Sequence, residues 1–233
     1  MIDFVPLGER GRRFTSQVIV RLSDASPSGD LRLDGVARFL QDVATEDWED
    51  TQIQSDYVWV VRRAVVRRVQ GSWPRMNDRL ELTTWCSGVG AAWAERRTDI
   101  TSGGATVLAA AVLWVPVDAS GHPVRIQPQF MDVYGESVQG RRVSGRVILR
   151  EPPPDAKSRP WPLRRADLDV VGHVNNAAVW QAVSELVDVP VSEVEVIHHG
   201  PVESGHDVRL AHVPGAMWLL VDDQVRVAVD YRP

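Results

Sequence analysis

Alternation of apolar and polar positions dominates this chain and predicts a protein built mainly from antiparallel strands. The segment 106–118 is apolar almost throughout, which is typical of a strand buried on both faces. Period-two patterning predicts strands at 14–23, 57–70, 79–87, 93–102 and 106–118, and again at 160–168, 191–200, 207–213, 216–223 and 225–233.

Two segments follow a helical period instead. In LDGVARFLQDVATEDWED (33–50) the apolar residues Val36, Phe39, Leu40 and Val43 recur at helical spacing. A second helix is predicted from Asn175 to about Val187. Between 119 and 160 the pattern weakens, and the stretch REPPPDAKSRPWP is typical of a linker, because proline cannot enter a helix or an inner strand.

The same order of elements occurs twice. VRLSDASPSGDLRLDGVARFLQDVATED in the first half parallels PLRRADLDVVGHVNNAAVWQAVSELVD in the second. Each has an arginine, an aspartate-bearing loop with a glycine, and a helix that ends in acidic residues. A helix wrapped by an antiparallel sheet, twice over, predicts an α+β fold of tandem hotdog domains. We expect an N-terminal domain at 1–140, a linker at 141–159 and a C-terminal domain at 160–233.

Composition narrows the function classes. The 233 residues carry a net charge of −5, which argues against a nucleic-acid surface. One cysteine, Cys86, excludes a disulfide within the chain. No residues show metal-ligand spacing and no glycine-rich phosphate loop occurs, so neither a metal nor a cofactor is expected. The N-terminus has no apolar signal core and no run reaches membrane-spanning length, so a cytoplasmic protein is expected.

Polar groups concentrate just before the second predicted helix. Asp169, His173 and Asn175 lie within a few residues of one another, and backbone N–H groups near Val174 and Asn175 could stabilise an oxyanion at the helix N-terminus. Asn175 and Asn176 are also favoured helix caps. The residues alone therefore allow either a catalytic cluster or a capped turn.

The stretch DLDVVGHVNN resembles the signature of acyl-ACP thioesterases, roughly D-L-D-x-N-x-H-V-N-N. The first half adds ARFLQDVATEDW, WVVRR and a P-x-x-x-D-x-L-x-L-x-T-W segment from Pro74 to Trp85. This resemblance implies two hotdog domains, of which the second carries the chemistry and the first helps to hold an acyl chain.

Within that resemblance, Asp169 and His173 take the positions of a catalytic aspartate and histidine. Val171 stands where the family has an asparagine, and valine offers no hydrogen bond. His199 falls on the catalytic glutamate, where it could act as a base or a second donor. The resemblance thus implies Asp169, His173 and His199 as catalytic, with Val171, Val174 and Asn175 beside the substrate.

Three functions follow as expectations. The leading one is hydrolysis of a fatty acyl thioester on acyl carrier protein, with the chain lying beside Val36, Phe39, Leu40 and Val43. In the first alternative the acyl group is carried by coenzyme A. Acyl carrier protein is acidic and so is this chain, so docking of that carrier would need a local basic patch. Two sets of residues could provide it: Arg62, Arg63, Arg67 and Arg68, or Arg164 and Arg165.

The second alternative is an acyl-binding double hotdog that has lost catalysis, which the residues at 171 and 199 favour. Either a monomer or a homodimer is compatible with two hotdogs in one chain.

Overall fold

The computed structural model describes residues 3–170, 172–187 and 189–233. Three α-helices and ten strands occur in these ranges. The helices are α1 (Leu33–Thr51), α2 (Pro128–Val138) and α3 (Asn176–Ser184). The strands are β1 (Phe14–Ile19), β2 (Val58–Arg68), β3 (Arg79–Val89), β4 (Ala94–Ser102), β5 (Ala105–Val117), β6 (Lys157–Pro160), β7 (Glu193–His198), β8 (Val208–Val213), β9 (Ala216–Val221) and β10 (Gln224–Arg232).

All ten strands form one antiparallel sheet. Its order is β1-β3-β4-β5-β2-β7-β10-β9-β8-β6, so each repeat contributes five neighbouring strands. The two halves join where β2 pairs with β7, from Arg63 opposite Ile197 to Arg67 opposite Glu193. Helices α1 and α3 pack against each other on the inner face of this sheet. The predicted tandem hotdog is confirmed.

One hydrophobic core spans both repeats. Leu82, Ile100 and Leu108 of the first repeat are fully buried against the same core as Leu210 and Met217 of the second. A helix buried this way is stabilised by packing rather than by propensity, which explains how α1 tolerates a buried glycine at position 35. Among the described residues, no helix is long and apolar enough to cross a membrane.

The region between the repeats corrects three predictions. The strand predicted at 160–168 is wrong beyond its first residue. Strand β6 lies at Lys157–Pro160, with its first three residues inside the predicted linker, and a 3-10 turn follows at Arg165–Asp167. Pro160 and Pro162 lack the N–H groups that a longer strand would need. Helix α3 ends at Ser184, before the predicted end at Val187.

Helix α2 was missed altogether. It begins with Pro128 in the first turn and buries Phe130, Tyr134 and Val138, which are spaced four residues apart. This spacing is a helical signal, but the surrounding glycines and prolines obscured it. The helix packs beside β3 and closes one end of the first repeat.

A buried carboxylate ties this end together. Asp47 of α1 is 1% exposed and accepts hydrogen bonds from Arg12 Nε at 2.7 Å, Arg96 Nη1 at 2.6 Å and Tyr134 Oη at 2.7 Å. The N-terminal segment, β4, α1 and α2 therefore meet at one charged group. Such a group is stabilising only while all its partners remain.

We expect Asp47→Ala to lower the free energy of unfolding by about 3–5 kcal/mol, because it leaves Arg96 buried without its counter-ion. Denaturant unfolding measures this change. Asp50→Ala is the matched control, since Asp50 also pairs with Arg12 but is 58% exposed. It should cost less than about 1 kcal/mol. Equal losses in the two variants would contradict the assigned role of Asp47.

Candidate active site

The loop before α3 is built like the loop before α1. In the second repeat the N–H of Asp169 donates to the carbonyl of His173 at 2.8 Å, and in the first Ser26 donates in the same way to Asp30 at 2.8 Å. Gly172 and Gly29 occupy matching places with φ of 84° and 85°. Only glycine adopts this conformation without strain. The repeat seen in the sequence therefore extends to individual hydrogen bonds.

The carboxylate of Asp169 closes this loop. Its Oδ1 accepts the N–H of His173 at 3.1 Å, just as Ser26 Oγ accepts the N–H of Asp30 at 3.3 Å. A side-chain acceptor at this position is thus part of the turn in both repeats. Only the second repeat uses a carboxyl group as this acceptor. Because the uncharged Ser26 closes the same turn in the first repeat, the turn does not require the charge of Asp169.

His173 is held beside a second carboxylate. Its Nε2 lies 3.6 Å from Glu203 Oε1, and both side chains are about half exposed. Asp30 and Arg75 form the corresponding pair in the first repeat at 3.1 Å. Glu203 was not found from the sequence, because only the pairing of residues 173 and 203 across the loop brings it to the histidine.

The backbone donors expected for an oxyanion are already engaged. Val174 N–H donates to Val202 O at 2.7 Å and Asn175 N–H donates to Asp167 O at 2.8 Å. Asn175 also caps α3, since its Oδ1 accepts the N–H of Ala177 at 2.8 Å. The proposed use of Val174 and Asn175 N–H groups is therefore wrong. Within the described residues, the first-turn N–H with neither a main-chain nor a side-chain acceptor belongs to Asn176. Val171 lies outside the described residues.

Asn176 borders a narrow slot between α1, α3 and the sheet. The slot has a volume of about 20 Å³, and Gln41, Trp114, Trp180 and His198 are among its walls. His198 Nε2 is buried and has no hydrogen-bond partner in the described part of the chain. Burial, with a further contribution from Arg62, lowers the pKa of His198 to about 4. The imidazole is therefore neutral near pH 7.

His199, predicted to be catalytic, lies on the other side of the strand. It is exposed, and its Nδ1 lies 3.3 Å from Arg62 Nη2. Partial burial lowers its pKa, and the nearby charges of Arg62 and Arg226 lower it further. No hydrogen bond joins His199 to His173 among the residues described.

The slot is lined by only some of the four apolar residues that were predicted beside the acyl chain. All four belong to the packed core, and of them Leu40 also lines the slot. The face of α1 towards the slot is formed instead by Ala37, Leu40 and Gln41.

The depressed pKa of His198 predicts a pH-dependent stability. Below its ordinary value of 6.5 the unfolded chain binds a proton that the folded chain accepts only near pH 4. Stability should therefore fall as the pH drops from about 6.5 towards 4. His198→Gln should reduce that loss by about 2 kcal/mol, allowing for partial exposure. Urea titrations at stepped pH measure it, and an unchanged slope in the variant would refute the assignment.

Comparison with known proteins gives the family. The chain matches the acyl-ACP thioesterase N-terminal domain over residues 11–134 and the acyl-ACP thioesterase C-terminal domain over residues 150–217. An uncharacterised protein of Mycobacterium tuberculosis is 25% identical over 229 residues, covering 94% of this chain and 91% of that protein.

Solved structures share the fold. A 12:0-ACP thioesterase from Umbellularia californica is 18% identical, with a TM-score of 0.80 over 97% of this chain and 98% of that one. An acyl-ACP thioesterase from Bacteroides thetaiotaomicron is 13% identical, with a TM-score of 0.75 over 94% and 97%. Since both family models match, in order, over most of the sequence, the chain belongs to the acyl-ACP thioesterase family.

Proposed function

We propose that this protein hydrolyses fatty acyl thioesters carried by acyl carrier protein, at the N-terminus of α3. One observation carries the proposal: the loop with Asp169, His173 and Glu203 leads directly into Asn176, which borders the slot. A polar cluster at the surface and an apolar recess below it suit a substrate with a reactive thioester and a long apolar tail.

In the proposed mechanism His173 is the general base, oriented by Glu203, and Asp169 holds the loop and orients the attacking water. Water attacks the thioester carbonyl carbon and gives a proton to His173. The carbonyl oxygen becomes an oxyanion that accepts a hydrogen bond from Asn176 N–H. The C–S bond then breaks, and the departing thiolate takes the proton from His173. A thiolate leaves readily, so no stronger acid is needed.

The carrier is proposed to dock on the basic surface around β6. Of the two patches considered from the sequence, the β2 arginines have partners: Arg63 lies 3.9 Å from Glu195, and Arg67 binds Glu193 at 2.7 Å. The second patch, Arg164 and Arg165, lies beside further exposed basic side chains of the edge region, Lys157, Arg159 and Arg209; of these five, Arg164 pairs with Asp167 at 2.6 Å. An acidic carrier protein would be attracted to this edge despite the net negative charge of the chain.

The identity of the thioester carrier and the cellular location stay predictions. Acyl-CoA remains the alternative substrate, since its thioester is chemically the same. The cytoplasm remains the expected location, and the free, buried thiol of Cys86 is compatible with a reducing compartment.

The turn role of Asp169 suggests which variants to use. Asp169→Ser introduces the residue of the first repeat, which keeps a turn acceptor and removes the carboxylate. We expect thiol release from acyl-ACP to fall at least about 100-fold in Asp169→Ser and His173→Ala, with a smaller loss of about 10-fold in Glu203→Gln, as is typical for removing a general base or its orienting partner. The matched control His212→Ala, on β8, should retain wild-type turnover.

Turnover that survives in both Asp169→Ser and His173→Ala would contradict the proposed site. Absence of turnover in the wild type on acyl-ACP and acyl-CoA, with retained binding of fatty acids, would favour the non-catalytic acyl-binding alternative.

Charge reversal tests the docking surface. Arg159→Glu should raise KM for acyl-ACP by about 5- to 20-fold at low salt, and less at high salt because screening weakens the attraction. KM for acyl-CoA should change much less. Arg79→Glu is the control, because Arg79 is exposed on β3 near the opposite edge of the sheet. An equal effect of the two variants would exclude docking at β6.

A further inference from the structure

A second and larger cavity lies at the closed end of the first repeat. It has a volume of about 280 Å³ and lies between the C-terminal half of α1, the inner face of the first-repeat strands and α2. We call it the aromatic cavity; its walls include Trp48, Tyr57, Trp59, Arg96, Trp114 and Phe130. Ring centroids of neighbouring members lie 5.5–6.4 Å apart.

One face of α1 connects the slot to this cavity. Ala37 and Gln41 line the slot, Ala44 and Trp48 line the cavity, and these positions follow helical spacing. Trp114 belongs to both walls. The path from Ala37 to Trp48 is about 16 Å at the helical rise per residue. An acyl chain with its thioester at Asn176 is long enough to reach the aromatic cavity with its distal carbons once the slot of about 20 Å³ widens to admit it.

Three of the rings that form the cavity walls carry donors that an alkyl chain cannot satisfy. Tyr57 Oη, Trp59 Nε1 and Trp114 Nε1 are buried and have no hydrogen-bond partner within the described residues. Buried polar groups are normally paired, and each unpaired one is costly. Water does not reach these three atoms in this structure, so a ligand oxygen accepts from them only when the rings turn towards the cavity, whereas an alkyl chain cannot accept at all.

Indoles elsewhere in the chain behave differently. Trp73 Nε1 donates to Leu31 O at 2.7 Å, and Trp218 Nε1 donates to Arg150 O at 2.7 Å. Trp93 Nε1 donates to Val143 O at 2.9 Å. The fold thus supplies acceptors to three tryptophans outside the cavity. Among the described residues, the indole N–H groups that are buried without a partner belong to Trp59 and Trp114, which both line the cavity.

The charges around the cavity indicate a neutral ligand group. Arg96 is neutralised by Asp47 at 2.6 Å, and Glu95 by Arg141 at 2.6 Å. Neither pair leaves a net charge for an ionic partner. A neutral oxygen that accepts hydrogen bonds would satisfy the donors without placing an unpaired charge in an apolar site.

We propose that the aromatic cavity binds the distal part of an acyl chain that carries a neutral hydroxyl or keto oxygen. The substrate class is then an oxygenated acyl thioester rather than a plain saturated one. This inference rests on the proposed thioesterase function, and it assigns the cavity a role in selecting the acyl group.

Binding of free acids tests the inference without turnover. Calorimetric titration would compare saturated acids with ω-hydroxy acids of the same length, from about eight to sixteen carbons to bracket the path along α1. At the best length we expect the hydroxy acid to bind about 3- to 10-fold more tightly, the size of one or two net hydrogen bonds. Hydrophobic burial alone would favour the saturated acid, because the hydroxyl makes the other acid more polar. Tighter binding of the hydroxy acid would therefore report hydrogen bonding.

Tyr57→Phe and Trp114→Phe should each reduce the preference about 3- to 10-fold by removing one donor and keeping a ring. Tyr231→Phe, in β10 and outside the cavity, is the matched control and should keep the preference. Equal or tighter binding of the saturated acid at every length would overturn the inference, as would a preference that survives both cavity variants. Because no hydrolysis is measured, failure of the thioesterase activity would leave this test intact.

Discussion

The pairing of β2 with β7 is the contact on which the arrangement of the site depends. Its five residue pairs fuse two five-stranded sheets and place Ala64 and Val66 beside Val194 and Val196 on the shared inner face. Helices α1 and α3 consequently lie side by side. The slot then combines residues of α1, α3, β2, β5 and β7, so neither repeat forms it alone.

Duplication has left the two repeats with the same loop and different chemistry. The backbone hydrogen bonds, the left-handed glycine and a side-chain acceptor recur in both. Asp30 with Arg75 in the first repeat corresponds to His173 with Glu203 in the second. A loop that is already stable for structural reasons can acquire titratable groups without refolding. In the proposed function the first repeat contributes space for the acyl chain instead.

Much of this fold could be predicted because strands and helices leave local periodic signals. The α1 helix, nine of the strands and the duplicated loop follow from such patterns, whereas α2 was hidden among prolines and glycines. His198 and His199 show where strand alternation and alignment to the family motif give different answers. Val194 and Val196 are core residues, so strand alternation alone places His198 inward and His199 outward. The aligned family motif selected His199 instead.

The remaining site residues depend on contacts between distant segments. Glu203 meets His173 only through loop pairing, and Gln41 meets Asn176 only through helix packing. Engagement of the Val174 and Asn175 N–H groups is likewise decided by partners at Val202 and Asp167. A sequence pattern shows that a helix start carries backbone N–H donors. Whether those donors are free or already bonded depends on acceptors that the tertiary structure brings to them.

In the proposed complex the thioester binds at the start of α3 while the acyl chain follows α1 into the first repeat. A crystal structure with a non-hydrolysable acyl-pantetheine amide tests this most directly. We expect the amide oxygen to lie within hydrogen-bond distance of Asn176 N–H, and the chain to pass Gln41 and Trp114 towards Trp48. A chain that instead runs into the second repeat, or an amide bound away from Asn176, would contradict it.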